Sequence, residues 1–111
     1  MAEMQFDRRR YKRFTLPCPA TLLDSDQTPA SARTLNISDG GALLALPLKD
    51  LPEAGRKLKV KLSLPRSTAS THMVEKVRCE GLIKRHQPLT DDRYAAVAVE
   101  FVEPVNLQIE V

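Results

Sequence analysis

The chain is predicted to be all-β, a barrel or sandwich of about six strands. Three observations predict it. From Phe14 onward the apolar residues come in short runs separated by turn-forming residues. One of those runs alternates without a fault. It sets Leu58, Val60, Leu62 and Leu64 on one face and Lys57, Lys59, Lys61 and Ser63 on the other, the period of a strand with one dry face. No segment carries the repeat of a long amphipathic helix.

The elements follow in order. Residues 1–13 are polar, lack a sustained apolar period and read as a basic arm or ordered loop. Residues 16–23 form the first strand, with Pro17 and Pro19 confining its start to an edge or bulge because neither can donate to a ladder. Residues 24–29 make a polar turn, and residues 32–37 a second strand ended by Ser38-Asp39-Gly40-Gly41. Residues 42–46 are apolar enough to be a buried third strand. Residues 47–55 form a loop with room for one helical turn, followed by the alternating fourth strand at 57–64. A Ser/Thr-rich turn at 65–71 leads into a longer strand at 73–84, with Gly81 as a bulge or bend. Residues 86–93 are a polar loop, and residues 94–101 close the set with Val97, Val99 and Phe101 on one face. The tail at 105–111 suits a strand by alternation and a helical turn by the spacing of Val105 and Ile109.

Composition narrows the function classes. At 111 residues the chain holds one modest core. Its balance of 42% hydrophobic and 28% charged residues is that of a soluble globular protein. No apolar run approaches the roughly 20 residues that span a bilayer. The N-terminus lacks the apolar core of a signal peptide, so a cytoplasmic protein is expected. Cys18 and Cys79 stand far apart in no metal-binding spacing and are expected to be reduced thiols. His72 and His86 are isolated, and no Ser/His/Asp or paired-carboxylate motif is present. Neither a metal, a cofactor nor an enzyme activity is expected. The net charge is +3, and its placement is informative. Residues 1–13 hold five basic and two acidic groups, while the remainder is balanced. The whole excess sits in the arm, which points to an anionic partner there.

Two constellations carry chemistry. Arg8-Arg9-Arg10-Tyr11-Lys12-Arg13 presents guanidinium forks that fit phosphate oxygens and the O6/N7 edge of guanine. Alone, such a run reads equally as a solvated tail or a nonspecific nucleic-acid patch. Asn36-Ile37-Ser38-Asp39-Gly40-Gly41 offers an amide, a hydroxyl and glycines that permit positive φ or close approach to a ligand. Alone, it reads as an ordinary hairpin turn.

Together the two resemble the PilZ domain family, whose members bind cyclic di-GMP on a six-stranded β-barrel. The family's Arg-x-x-x-Arg before the first strand is matched by Arg9 to Arg13. Its (Asp/Asn)-x-Ser-x-x-Gly between the second and third strands is matched by Asn36 to Gly41, and the likeness covers about residues 6–103. The resemblance implies a six-stranded antiparallel barrel at 14–103, a flexible basic arm at 1–13 carrying the first motif, and a short tail at 104–111. It implies that Arg9 and Arg13 hold phosphate and guanine, with Asn36, Ser38, Gly40 and Gly41 lining the opposite side. Arg8, immediately before the motif, is compatible with an intercalated pair of ligand molecules. Arg10 and Lys12 are left to solvent and long-range attraction.

Two departures are visible. Ala98 stands where many relatives have glycine, and the chain leaves room for at most a short C-terminal helix. The implied function is a non-enzymatic signalling module that binds cyclic di-GMP, orders its arm and changes its interaction with an unidentified protein. Membrane insertion is not expected. A nucleic-acid-binding barrel is the alternative, disfavoured because the chain has only five aromatic residues and that reading leaves Asn36, Ser38 and Gly41 unexplained. A PilZ-like scaffold that binds only proteins is the other.

Overall fold

Strands that alternate apolar with polar residues bury one face only by packing against a second sheet or by curling into a barrel. This chain curls. The computed structural model describes residues 13–23, 29–67 and 72–107. Its strands are β1 (Pro19–Leu23), β2 (Ala30–Ser38), β3 (Gly41–Pro47), β4 (Lys57–Ser67), β5 (His72–Pro88) and β6 (Tyr94–Phe101). All pairings are antiparallel, and the order β1-β2-β3-β6-β5-β4 closes on itself through β1 and β4. One 3-10 turn, Leu48–Asp50, lies between β3 and β4. Among the described residues no helix is long and apolar enough to cross a membrane.

The core is the set of inward positions. Leu58, Val60, Leu62 and Leu64 of β4 are all buried, as the alternation requires, and they meet Leu44 and Leu46 of β3, Ile83 of β5 and Val97, Val99 and Phe101 of β6. Of the two buried polar residues among those described, Ser38 and Thr34, Thr34 is the more deeply buried. Its Oγ1 accepts the Cys18 N–H at 2.8 Å and donates to the Leu16 carbonyl, so the hydroxyl is satisfied. Both cysteines are free thiols. Burial pushes the half-buried Cys79 thiol up to about 11.

The edges of the elements differ from the expected ones for identifiable reasons. β1 begins at Pro19 rather than residue 16, because residues 14–18 run beside β2 instead. β4 continues through Pro65 to Ser67. The β1 partner of β4 ends at Leu62, so the missing Pro65 N–H has no ladder to break on that side. β5 extends to Pro88, because Arg85 and then His86, Gln87 and Pro88, the last three read from sequence as loop, find partners in β6. The irregularity in β5 falls between Ile83 and Arg85, not at Gly81. Gly81 is needed for space instead: a Cβ there would strike the Val99 side chain.

The tail is neither strand nor helix over residues 102–107, and residues 108–111 lie outside the described part of the chain. It is nonetheless part of the core. Leu107 is fully buried with the barrel residues, and Val105 packs against them. Two hydrogen bonds tie it down, from the Val105 N–H to the Asp39 carbonyl at 2.8 Å and from the Leu107 N–H to Asp39 Oδ1 at 2.9 Å. Truncating Leu107 to alanine removes a filled core position and is expected to cost roughly 2–4 kcal/mol. Urea denaturation followed by circular dichroism measures it, and an unchanged midpoint would contradict the packing.

Candidate functional site

The turn between β2 and β3 organises one outer face of the barrel. Ser38 Oγ accepts the Gly40 N–H at 3.2 Å and donates to the Gly41 carbonyl at 3.3 Å, closing the turn on itself. The Gly40 carbonyl accepts the Phe101 N–H at 2.9 Å, and Asp39 holds the tail. The turn is therefore braced from both sides before any ligand arrives. Gly41 has a steric duty. It pairs with Glu100, and a Cβ at this position would collide with the Val99 carbonyl oxygen. The positive φ that sequence reasoning offered for the glycines of this turn is not used; Gly55, at φ 89°, is the described glycine that adopts it.

A second strut brings the N-terminal segment to the same place. Phe14 and Ile37 form an isolated antiparallel bridge, N–H to carbonyl at 2.7 and 2.9 Å in the two directions. Ile37 lies between Asn36 and Ser38, so the bridge delivers Arg13 to the edge of the turn. Arg13, Asn36, Ser38, Gly40 and Gly41 all line one cleft of about 670 Å³. Arg8 and Arg9, the other expected ligand residues, lie outside the described residues.

The cleft crosses four neighbouring strands, β2, β3, β6 and β5. Its middle includes Gly41, Leu43 and Ala98, so the departure at Ala98 adds one methyl group to the lining. Its far side was missed from sequence. Lys84, Arg85 and Gln87 of β5 line it, with Glu100 of β6 between the two sides. No motif marks these residues, and the sequence reading placed Gln87 in a loop. The signal that could have found them is the broken alternation of β5, where apolar Ile83 is followed by two consecutive cations. Pro104 and Val102 contribute from the chain after β6.

The described lining thus holds three cations, Arg13, Lys84 and Arg85, against the single carboxylate of Glu100. Two ion pairs, Arg66 with Glu75 at 2.8 Å and Arg93 with Asp91 at 3.0 Å, involve none of these residues. Arg93 holds the Asp91 carboxyl below its ordinary range through its hydrogen bonds. A cleft with cations on both flanks and a carboxylate in the middle suits a ligand that carries more than one anionic group together with N–H donors. Among the described residues no group of three His, Cys, Asp or Glu side chains comes together to hold a metal ion.

Comparison with known proteins places this geometry. The PilZ domain family model matches residues 7–110. No curated protein matches the chain by sequence. Among solved structures, the inhibitor of motility MotI/DgrA of Bacillus subtilis superposes with a TM-score of 0.76 at 18% identity, over 90% of this chain and 45% of that one. YcgR of Escherichia coli in complex with c-di-GMP superposes at 0.66 with 14% identity, over 86% of this chain and 38% of that one. The MrkH–c-di-GMP complex of K. pneumonia gives 0.64 at 22% identity, over 86% and 45% of the two chains. The chain spans less than half the length of each of these three, and at such identities the likeness is one of fold.

The tight approach at Gly41 makes a direct prediction. Gly41→Ala forces β3 away from β6 and is expected to lower stability by about 1–3 kcal/mol. Thermal unfolding of the two proteins compared under one condition checks it, and equal midpoints would show that the strands relax without cost.

Proposed function

The chain belongs to the PilZ domain family, and from that premise we propose that it is a receptor for cyclic di-GMP that acts by binding rather than by catalysis. The observation that carries the reading is the single cleft holding Arg13, Asn36, Ser38 and Gly41, brought together from the two ends of the motif pair. YcgR and MrkH, similar to this chain in fold, are complexed with c-di-GMP.

In this reading the ligand's two phosphates and two guanines are met by complementary groups. Arg13 and Arg9 hold phosphate oxygens and the O6/N7 edge of guanine through their guanidinium forks. Asn36 supplies an amide beside Arg13, and Gly41 leaves room for close approach. The Ser38 hydroxyl, already engaged in the turn, acts first by holding that turn in shape and retains a lone pair for the ligand. Arg8 favours a second, intercalated ligand molecule. The five basic groups at 8–13 repel one another, and the ligand's phosphates neutralise that repulsion. Residues 1–13 then act as an arm that closes over the barrel and, with the ligand, forms the surface that a protein partner reads. A few charge-assisted contacts of roughly 1.5–3 kcal/mol each, less ordering costs, support affinity near micromolar, about −8 kcal/mol.

Titration calorimetry tests the proposal. Cyclic di-GMP is expected to bind in physiological salt where GMP and a short oligonucleotide do not. Arg9→Ala and Arg13→Ala are each expected to abolish the heat signal while circular dichroism reports an intact fold; unchanged affinity in both would refute the site. Arg8→Ala is expected to lower the ligand-to-protein ratio, and a ratio of one in both proteins would remove the intercalated pair.

A further inference from the structure

The β5 side of the cleft is built by a break in its strand. Up to Ile83 the strand alternates normally: Gly81 and Ile83 face the interior, and Ile83 is paired with Val99. The next pair is Arg85 with Ala98, so Lys84 is an extra residue without its own partner on β6. Had the ladder continued without the insertion, Lys84 would oppose Ala98 and Arg85 would oppose Val97. The insertion instead sets Arg85 opposite Ala98, which lines the cleft, and brings His86 opposite the buried Val97. A one-residue shift exchanges the faces of everything after it. Here it keeps Arg85 on the outer face and leaves two consecutive cations, both exposed, lining the cleft. Bulges of this kind re-aim side chains beside binding sites.

These cations stand across the cleft from Arg13. β2 and β5 are three strand spacings apart, roughly 14 Å at about 4.8 Å each. Arg13 enters beside β2; Lys84 and Arg85 flank the other end, with Gly41, Leu43 and Ala98 between them. We infer that the Lys84–Arg85 bulge is a second anion-binding wall, which holds the phosphate of a cyclic dinucleotide that lies farther from the arm. The inference rests on the cyclic di-GMP reading and deepens it. It makes recognition two-sided: Arg13 takes one phosphate, the bulge the other, and a mononucleotide can satisfy only one side. Arg85 also sits within 3.5 Å of Gln87 Oε1, which biases the guanidinium along the cleft wall.

Cyclic di-GMP titrated into wild type, Lys84→Ala/Arg85→Ala, Arg85→Lys and Lys57→Ala/Lys59→Ala tests this. Lys57 and Lys59 are exposed on β4, outside the cleft, so their loss removes the same charge without touching the wall. The β5 double variant is expected to bind at least tenfold more weakly, Arg85→Lys to stay within about threefold of wild type, and the β4 double variant within about twofold. All four are expected to unfold cooperatively with similar midpoints, since the altered side chains are exposed. Wild-type binding that the β5 variant retains unchanged, or that both double variants lose equally, overturns the wall and leaves the receptor reading standing. Failure of the wild type to bind overturns both.

Discussion

The N–H and C=O of Phe14 are both paired with those of Ile37, and this bridge decides where the N-terminal segment meets the barrel. Without it Arg13 is a cation on a tether. With it, Arg13 stands beside a turn whose residues lie more than twenty positions along the chain. The bridge is supported from the next residues inward. Thr34 accepts from Cys18 and donates to Leu16, so the segment is stitched to β2 along its length, and Cys18 sits in the core beneath. A backbone bridge of this kind is indifferent to side-chain identity, which frees residue 13 to be chosen for what it binds.

The turn at 38–41 is held firmly. Its hydroxyl is committed to its own backbone, its Gly40 carbonyl to β6, and its Asp39 to the tail. The turn is thus fixed by its own contacts, which makes it a preorganised floor for the cleft. Because Asp39 lies within the motif and also anchors Leu107 in the core, the chain after β6 shares its fastening point with the site. The turn and the chain after β6 are therefore held through one residue.

The strands were legible in proportion to how far each residue's environment was local. β4 and β6 were read correctly over most of their length because each alternates against a single buried interior, and β6 starts and stops at the expected residues. β5 was misread at both the glycine and the polar end. A run of Lys, Arg, His and Gln has no apolar face to announce a strand; only the ladder to β6 makes it one. Half of the cleft was likewise legible. Arg13, Asn36, Ser38 and Gly41 sit in motifs with fixed spacing, whereas Lys84, Arg85 and Glu100 carry no local signature.

The sequence by itself determined the all-β class, the inward faces of the regular strands, the concentration of net charge in the first thirteen residues and the pair of motifs that resembles a known family. Those are properties of composition and short-range period. Tertiary structure alone decided that the barrel closes through β1 and β4, that Gly41 is required by the Val99 carbonyl rather than by its own φ, and that Leu107 is a core residue. It also decided that an inserted Lys84 sets the β5 cations along the cleft. The physical reason is common to all four: register and close contact are relations between distant segments, and neither residue of such a pair encodes the relation alone.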